Sequence, residues 1–121
     1  MAKKILLIED EDLIYSLLQK KLTQAGYDVT VAINGDEGLT KMREIKPDLI
    51  LLDIIMPQKD GFSVMEEIQK DKELQRIPII VISNSGQPVE LNRAKELGAK
   101  DWLIKTDFDP NEVLEKVKKY I

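Results

Sequence analysis

Cysteine and histidine are both absent from the 121 residues. The first absence removes disulfides and thiolate metal sites, and it fits a reducing compartment. The second removes histidine-based catalytic triads, His-ligated zinc and imidazole general bases. Long apolar runs are missing as well. After Met1-Ala2-Lys3-Lys4 only Ile5-Leu6-Leu7-Ile8 precede a block of acids, too short for a signal-peptide core or a membrane span. Nor is there a basic excess: the net charge is −4 and the two signs are interspersed, which argues against direct nucleic-acid binding. What is present is 43% hydrophobic and 33% charged, a globular composition in a length that suits one domain with its own core. The expectation is a cytoplasmic protein with no membrane attachment.

One stretch organises the rest. Leu49-Ile50-Leu51-Leu52-Asp53-Ile54-Ile55-Met56-Pro57 places a charge inside an apolar run. The run has no helical stripe and reads as a strand apolar on both faces, ending near Asp53. An unpaired buried carboxylate is costly, so Asp53 must emerge at the strand tip or have a partner. Similar apolar runs occur at Lys3 to Ile8, Ile77 to Ile82 and Trp102 to Ile104, while Tyr27 to Ile33 alternates, with Val29, Val31 and Ile33 at period 2, as a half-buried strand. Helical spacing follows each. Leu13, Ile14, Leu17, Leu18 and Leu22 mark the first helix, with Gly26 as its stop. Asn34 caps a second carrying Leu39, Met42 and Ile45. Asp60-Gly61 leads into a third with Phe62, Met65 and Ile68, Pro88 opens a fourth with Leu91, Ala94 and Leu97, and Asp109-Pro110 starts the last, with Val113, Leu114, Val117 and Ile121 buried. Lys116, Lys118 and Lys119 read as a solvated face of that helix.

Five strand–helix alternations imply an α/β fold with a parallel sheet covered on both faces by right-handed crossovers. Five units are too few to close a barrel. An open, doubly wound five-stranded sheet of order 2-1-3-4-5, flavodoxin-like, is therefore expected, as one domain over residues 1–121 with no output domain. In such a sheet ligands bind beyond the C-terminal strand ends, where the strand order reverses. Glu9 and Asp10 stand there after strand one, Asp53 after strand three, Ser83 after strand four and Lys105 after strand five. Clustered carboxylates repel, and a hard divalent cation such as Mg²⁺ (or Mn²⁺) relieves this with oxygen ligands. An ionised Asp53 can act as a nucleophile toward a phosphoryl group. Lys105 and the Ser83 hydroxyl suit the charge on its oxygens. Glu11 and Asp12 read as an acidic first helical turn and are left outside the site.

With these motifs in order, the sequence resembles a response-regulator receiver domain over essentially its whole length. The motifs are Glu9-Asp10 after an apolar strand, Asp53 with Met56-Pro57 and Asp60-Gly61, Ser83 after Ile79-Ile80-Val81-Ile82, and Lys105 after Gly98 to Ile104. The family shares the sheet order given above, so that order and the resemblance are not independent. The resemblance implies a signalling switch, not an enzyme in its own right. Asp53 takes a phosphoryl group from a histidine kinase or phosphotransfer protein. Asp10, Asp53 and the backbone carbonyl of Ile55 contact Mg²⁺, with Glu9 ligating directly or through water. Ser83 and Lys105 contact the phosphoryl group, and Trp102 holds the place of a switch aromatic. Output passes to a protein partner through strand four, strand five and the last helix, by a monomer or a phosphorylation-dependent dimer.

Some positions depart from the family pattern. Thr106 follows Lys105 where proline is usual, Trp102 replaces Tyr or Phe, and Ser83 replaces the commoner threonine. Ile55 puts an apolar side chain where it cannot position a hydrolytic water, so a long-lived phosphate is expected. Three other readings fit parts of the pattern. One is a haloacid-dehalogenase-like phosphatase with Asp10 as nucleophile and Asp12 as acid. Another is a flavodoxin-like nucleotide binder, disfavoured because the acidic first loop repels phosphate. The last is a receiver-like module that binds partners without phosphorylation.

Overall fold

A computed structural model describes residues 2–56, 59–83, 87–105 and 109–121. The turn at Met56-Pro57, the loop after Ser83 and the Lys105–Thr106 bond reach beyond these residues. In chain order the elements are β1 (Lys4–Ile8), α1 (Asp12–Gln24), β2 (Asp28–Ala32), α2 (Gly35–Ile45), β3 (Leu49–Asp53), α3 (Gly61–Gln69), a 3-10 turn (Leu74–Arg76), β4 (Ile79–Ser83), α4 (Pro88–Glu96), β5 (Asp101–Ile104) and α5 (Pro110–Tyr120). The strands form one sheet of order β2-β1-β3-β4-β5, with every pairing parallel. This is the expected doubly wound architecture. No helix among the described residues is long and apolar enough to cross a membrane.

Strand side chains alternate between faces, so an all-apolar strand must be covered twice. Leu6, Ile8, Ile50, Leu52, Ile79 and Val81 face α2 and α3, together with Leu39, Met42, Met65 and Ile68. Ile5, Leu7, Leu49, Leu51, Ile80 and Ile82 face α1 and α5, together with Leu18, Leu22, Val113 and Val117. Local chemistry sets the helix starts. Asn34 Oδ1 accepts from the Glu37 N–H at 2.8 Å and Asp60 Oδ1 from the Ser63 N–H at 2.9 Å, each satisfying a donor that an unfinished helix leaves bare. Gly26 ends the first α/β turn at φ +97°, where a Cβ would be strained.

The burial of the helix faces departs from expectation in places. In α1 only Leu18 and Leu22 are buried, while Leu13 is 83% exposed and Leu17 is also exposed. In α4 only Ala94 is buried. Ile33 lies past the end of β2 and is exposed rather than on its apolar face. Lys116 is not a solvated lysine: its ammonium reaches Asp101 Oδ1 at 2.9 Å and the Trp102 carbonyl at 2.6 Å, tying α5 to β5.

Candidate phosphoryl-transfer site

β3 is buried along its whole length and carries Asp53 on its last residue. The parallel register sets Ile8 beside Leu52 and Asp53 beside Ile82, so the tips of β1, β3 and β4 end at one level. Glu9 and Asp10 follow β1 directly, Ser83 is the last residue of β4, and Lys105 follows β5. The sheet thus brings together five of the residues anticipated from sequence. Asp53, Glu9 and Ser83 are buried, whereas Asp10 is exposed and faces the mouth of the site.

Asp53 is held at both oxygens. Oδ1 accepts from the Ile55 N–H at 3.1 Å, and Oδ2 accepts from the Lys105 ammonium at 3.0 Å. That ammonium also lies 2.6 Å from Glu9 Oε1 and 3.0 Å from Glu11 Oε1. The Lys105 side chain is only 6% exposed, so these contacts are little screened. Burial raises the Glu9 carboxyl to about 9, with Asp53 adding to the rise and Lys105 opposing it. Burial also raises Asp53, against the pull of its hydrogen bonds and of Lys105. Burial alone would lower Lys105, but its bonds to Glu9, Glu11 and Asp53 prevail and raise it. The metal-free site therefore holds a proton on the Glu9 side and keeps Lys105 charged.

The cluster suits a divalent cation. Glu9, Asp10 and Asp53 each offer an oxygen, and these atoms all lie within 4.8 Å of one another. Both Glu9 oxygens are buried, and beyond the Lys105 ion pair at Oε1 neither accepts a well-directed hydrogen bond among the described residues. A buried carboxylate short of hydrogen-bond donors, in an all-oxygen donor set, matches a hard ion such as Mg²⁺.

Two residues lie outside the direct cluster. Ser83 Oγ donates to Glu90 Oε2 in α4 at 3.2 Å. Trp102 is 39% exposed on β5. Its backbone N–H donates to Asp101 Oδ1 at 2.8 Å. The Ile55 side chain points outward and is exposed, leaving its backbone beside Asp53.

Sequence reasoning missed Glu11. It joins the site because Lys105, far away in sequence, reaches back across the sheet edge to it. The unbroken acidic run Glu9 to Asp12 is the signal that pointed there. Asp12 itself opens α1 and is exposed.

Comparison with known proteins agrees with this geometry and gives no support to the haloacid-dehalogenase-like alternative. The chain is 37% identical over 120 residues to the chemotaxis protein CheY of Thermotoga maritima, covering 98% of both chains. It is 40% identical over 118 residues to the alkaline phosphatase synthesis transcriptional regulatory protein PhoP of Bacillus subtilis, covering 98% of this chain and 48% of that protein. The chain thus spans about half the length of that relative. Among solved structures, Vibrio cholerae chemotaxis protein CheY4 superposes with a TM-score of 0.93 at 27% identity, each chain covered in full. The family model described as the response regulator receiver domain matches residues 5–118. With its acidic cluster, strand-end aspartate, hydroxyl and lysine at one sheet edge, this chain belongs to the response regulator receiver domains.

Proposed function

We propose that this chain is a phosphorylation-driven switch in which Asp53 accepts a phosphoryl group from a histidine kinase or phosphotransfer protein. The observation that carries the reading is the posture of Asp53. It is a buried carboxylate at a strand tip, pinned by the Ile55 N–H and the Lys105 ammonium beside the buried Glu9 carboxyl. Glu9, Asp10 and Asp53, with the backbone carbonyl of Ile55, would hold Mg²⁺ (or Mn²⁺). A cation bound there offsets negative charge on the phosphoryl oxygens during transfer.

An Asp53 oxygen attacks phosphorus. The new O–P bond forms as the P–N bond to the donor imidazole breaks, and the departing imidazole takes up a proton. Lys105 already touches Asp53 and remains charged, so it meets the developing charge without moving far. Ser83 must turn its hydroxyl toward the product. That turn, followed by Trp102, passes the change to the face formed by β4, β5 and α5, where a protein partner or a second copy reads it. The exposed Ile55 side chain offers no polar group to orient an attacking water, which favours a persistent aspartyl phosphate.

Intact mass spectrometry with a small phosphodonor and Mg²⁺ tests the reading. Wild type gains one phosphoryl group and Asp53→Ala gains none, while fluorescence from Trp102 changes with Mg²⁺ and again with beryllofluoride. Equal labelling of Asp53→Ala, or no labelling of wild type, overturns it.

A further inference from the structure

We propose that Glu90 is a latch on Ser83, holding its hydroxyl away from Asp53 and thereby tying the start of α4 to the state of the site. The consequence for Asp53 rests on its role as phosphoacceptor, but the latch itself does not.

A serine hydroxyl has one proton to donate. In this structure the Glu90 carboxylate stands as an acceptor for it, Oε2 lying 3.2 Å from Oγ. Ser83 cannot donate that proton to an oxygen on Asp53 at the same time. The two arrangements therefore exclude each other, and Glu90 competes directly with a phosphoryl oxygen for the same donor. The length of the bond makes it a weak competitor, since O–H···O distances cluster near 2.7–2.8 Å. A phosphoryl oxygen carrying more charge draws the proton away from it.

What makes the exchange consequential is the helix that Glu90 belongs to. α4 buries one residue, Ala94, and leaves Val89 largely exposed, so little apolar packing holds it. Polar contacts act in its place. On its side the Arg93 guanidinium sits 4.3 Å from the centre of the Phe62 ring and 3.2 Å from Glu66 Oε1. At its end the Leu97 carbonyl accepts from Gln69 Nε2 at 2.5 Å. These three partners all belong to α3. The bond from Ser83 ties the first turn of α4 to the site. Releasing it leaves the first turn held less firmly while the side and end stay anchored to α3. The coupling is reciprocal: a partner that draws the first turn of α4 away from the sheet frees Ser83 and favours phosphoryl binding.

Hydrogen exchange in the unphosphorylated protein tests the latch without any phosphoryl chemistry. Ser83→Ala should speed exchange of the α4 amides about threefold, the effect of one modest hydrogen bond, and Ser83→Thr should restore wild-type protection. Unchanged α4 exchange in Ser83→Ala overturns the latch. Beryllofluoride titration with Mg²⁺ then tests its role at the site. Glu90→Ala should bind about threefold more tightly than wild type, and that gain should vanish in the Ser83→Ala background. A gain of equal size in both backgrounds reflects the lost charge alone and overturns the competition. Failure of wild type to bind beryllofluoride counts against Asp53 as phosphoacceptor, while the exchange result still decides whether the latch exists.

Discussion

Lys105 sets one positive charge against three carboxylates, Glu9, Glu11 and Asp53, within 3.0 Å of each. One ammonium cannot neutralise them all, so the buried Glu9 keeps its proton up to about pH 9. An unfolded glutamate releases it near 4.5. Between those values the folded protein binds the extra proton, and stability must fall as pH rises. Asp53, raised by burial, pushes in the same direction, and Lys105 stays charged throughout, so it does not offset the trend. In metal-free buffer the melting temperature should drop by about 10–15 °C from pH 6 to pH 9. Glu9→Gln, which has no proton to lose, should flatten that slope and melt higher than wild type at pH 9. Scanning calorimetry across the range decides it, and a Glu9→Gln profile as steep as wild type refutes this account of the site.

The element that fixes Asp53 is β3, together with the start of α3 pressed against its end. A Cβ on Gly61 would lie 2.6 Å from the Asp53 carbonyl oxygen and 2.7 Å from the Ile54 Cα. Both are backbone atoms and cannot swing aside. Gly61→Ala should therefore cost about 1–3 kcal/mol in urea unfolding and slow phosphoryl uptake, because the strain falls on the residue that accepts the group. Wild-type stability together with normal uptake would mean that this approach is not a constraint. The sequence made the elements legible because apolar runs and caps act locally: Asn34, Pro88 and Asp109 each occupy the position expected of them. Asp53, Glu9, Asp10, Ser83 and Lys105 were legible because strand ends in a parallel sheet must meet at one edge. The burial of α1 and α4 was not. Apolar spacing shows that a helix exists, but which of its apolar residues meet the sheet depends on how the helix rolls against it. Leu13, Leu17, Leu91 and Leu97 satisfy the spacing and escape full burial. Glu11 and Glu90 were hidden for a related reason. An acid in the first turn of a helix is explained well enough by the helix dipole, and only the packed sheet reveals Lys105 and Ser83 within reach.

Across the whole molecule the sheet separates two apolar layers, yet strands β1 to β4 supply residues to both. Leu18 in α1 lies in one layer and Ile68 in α3 in the other. Leu18→Ala and Ile68→Ala should each cost about 2–5 kcal/mol. Residues on opposite faces share no cavity, so the double variant should show the sum to within about 0.5 kcal/mol, in a single urea transition. Two separate transitions would mean that the layers unfold independently and that the sheet does not unite them.

The crowding of acids around one lysine also has a reach far beyond contact distance. Glu9, Asp10, Glu11, Asp53 and Lys105 formally carry three of the four net negative charges of the molecule, leaving the remainder nearly balanced. Even with Glu9 protonated, the same edge keeps two of the three that remain. In solution the protein carries a local concentration of negative charge at the mouth of the site. A cationic surface within about one Debye length, roughly 8 Å at physiological salt, turns it to arrive site first. A free anion approaching the bare site is turned away. The arrangement that holds Asp53 in place also sorts what reaches it while still diffusing, before any side chain has been touched.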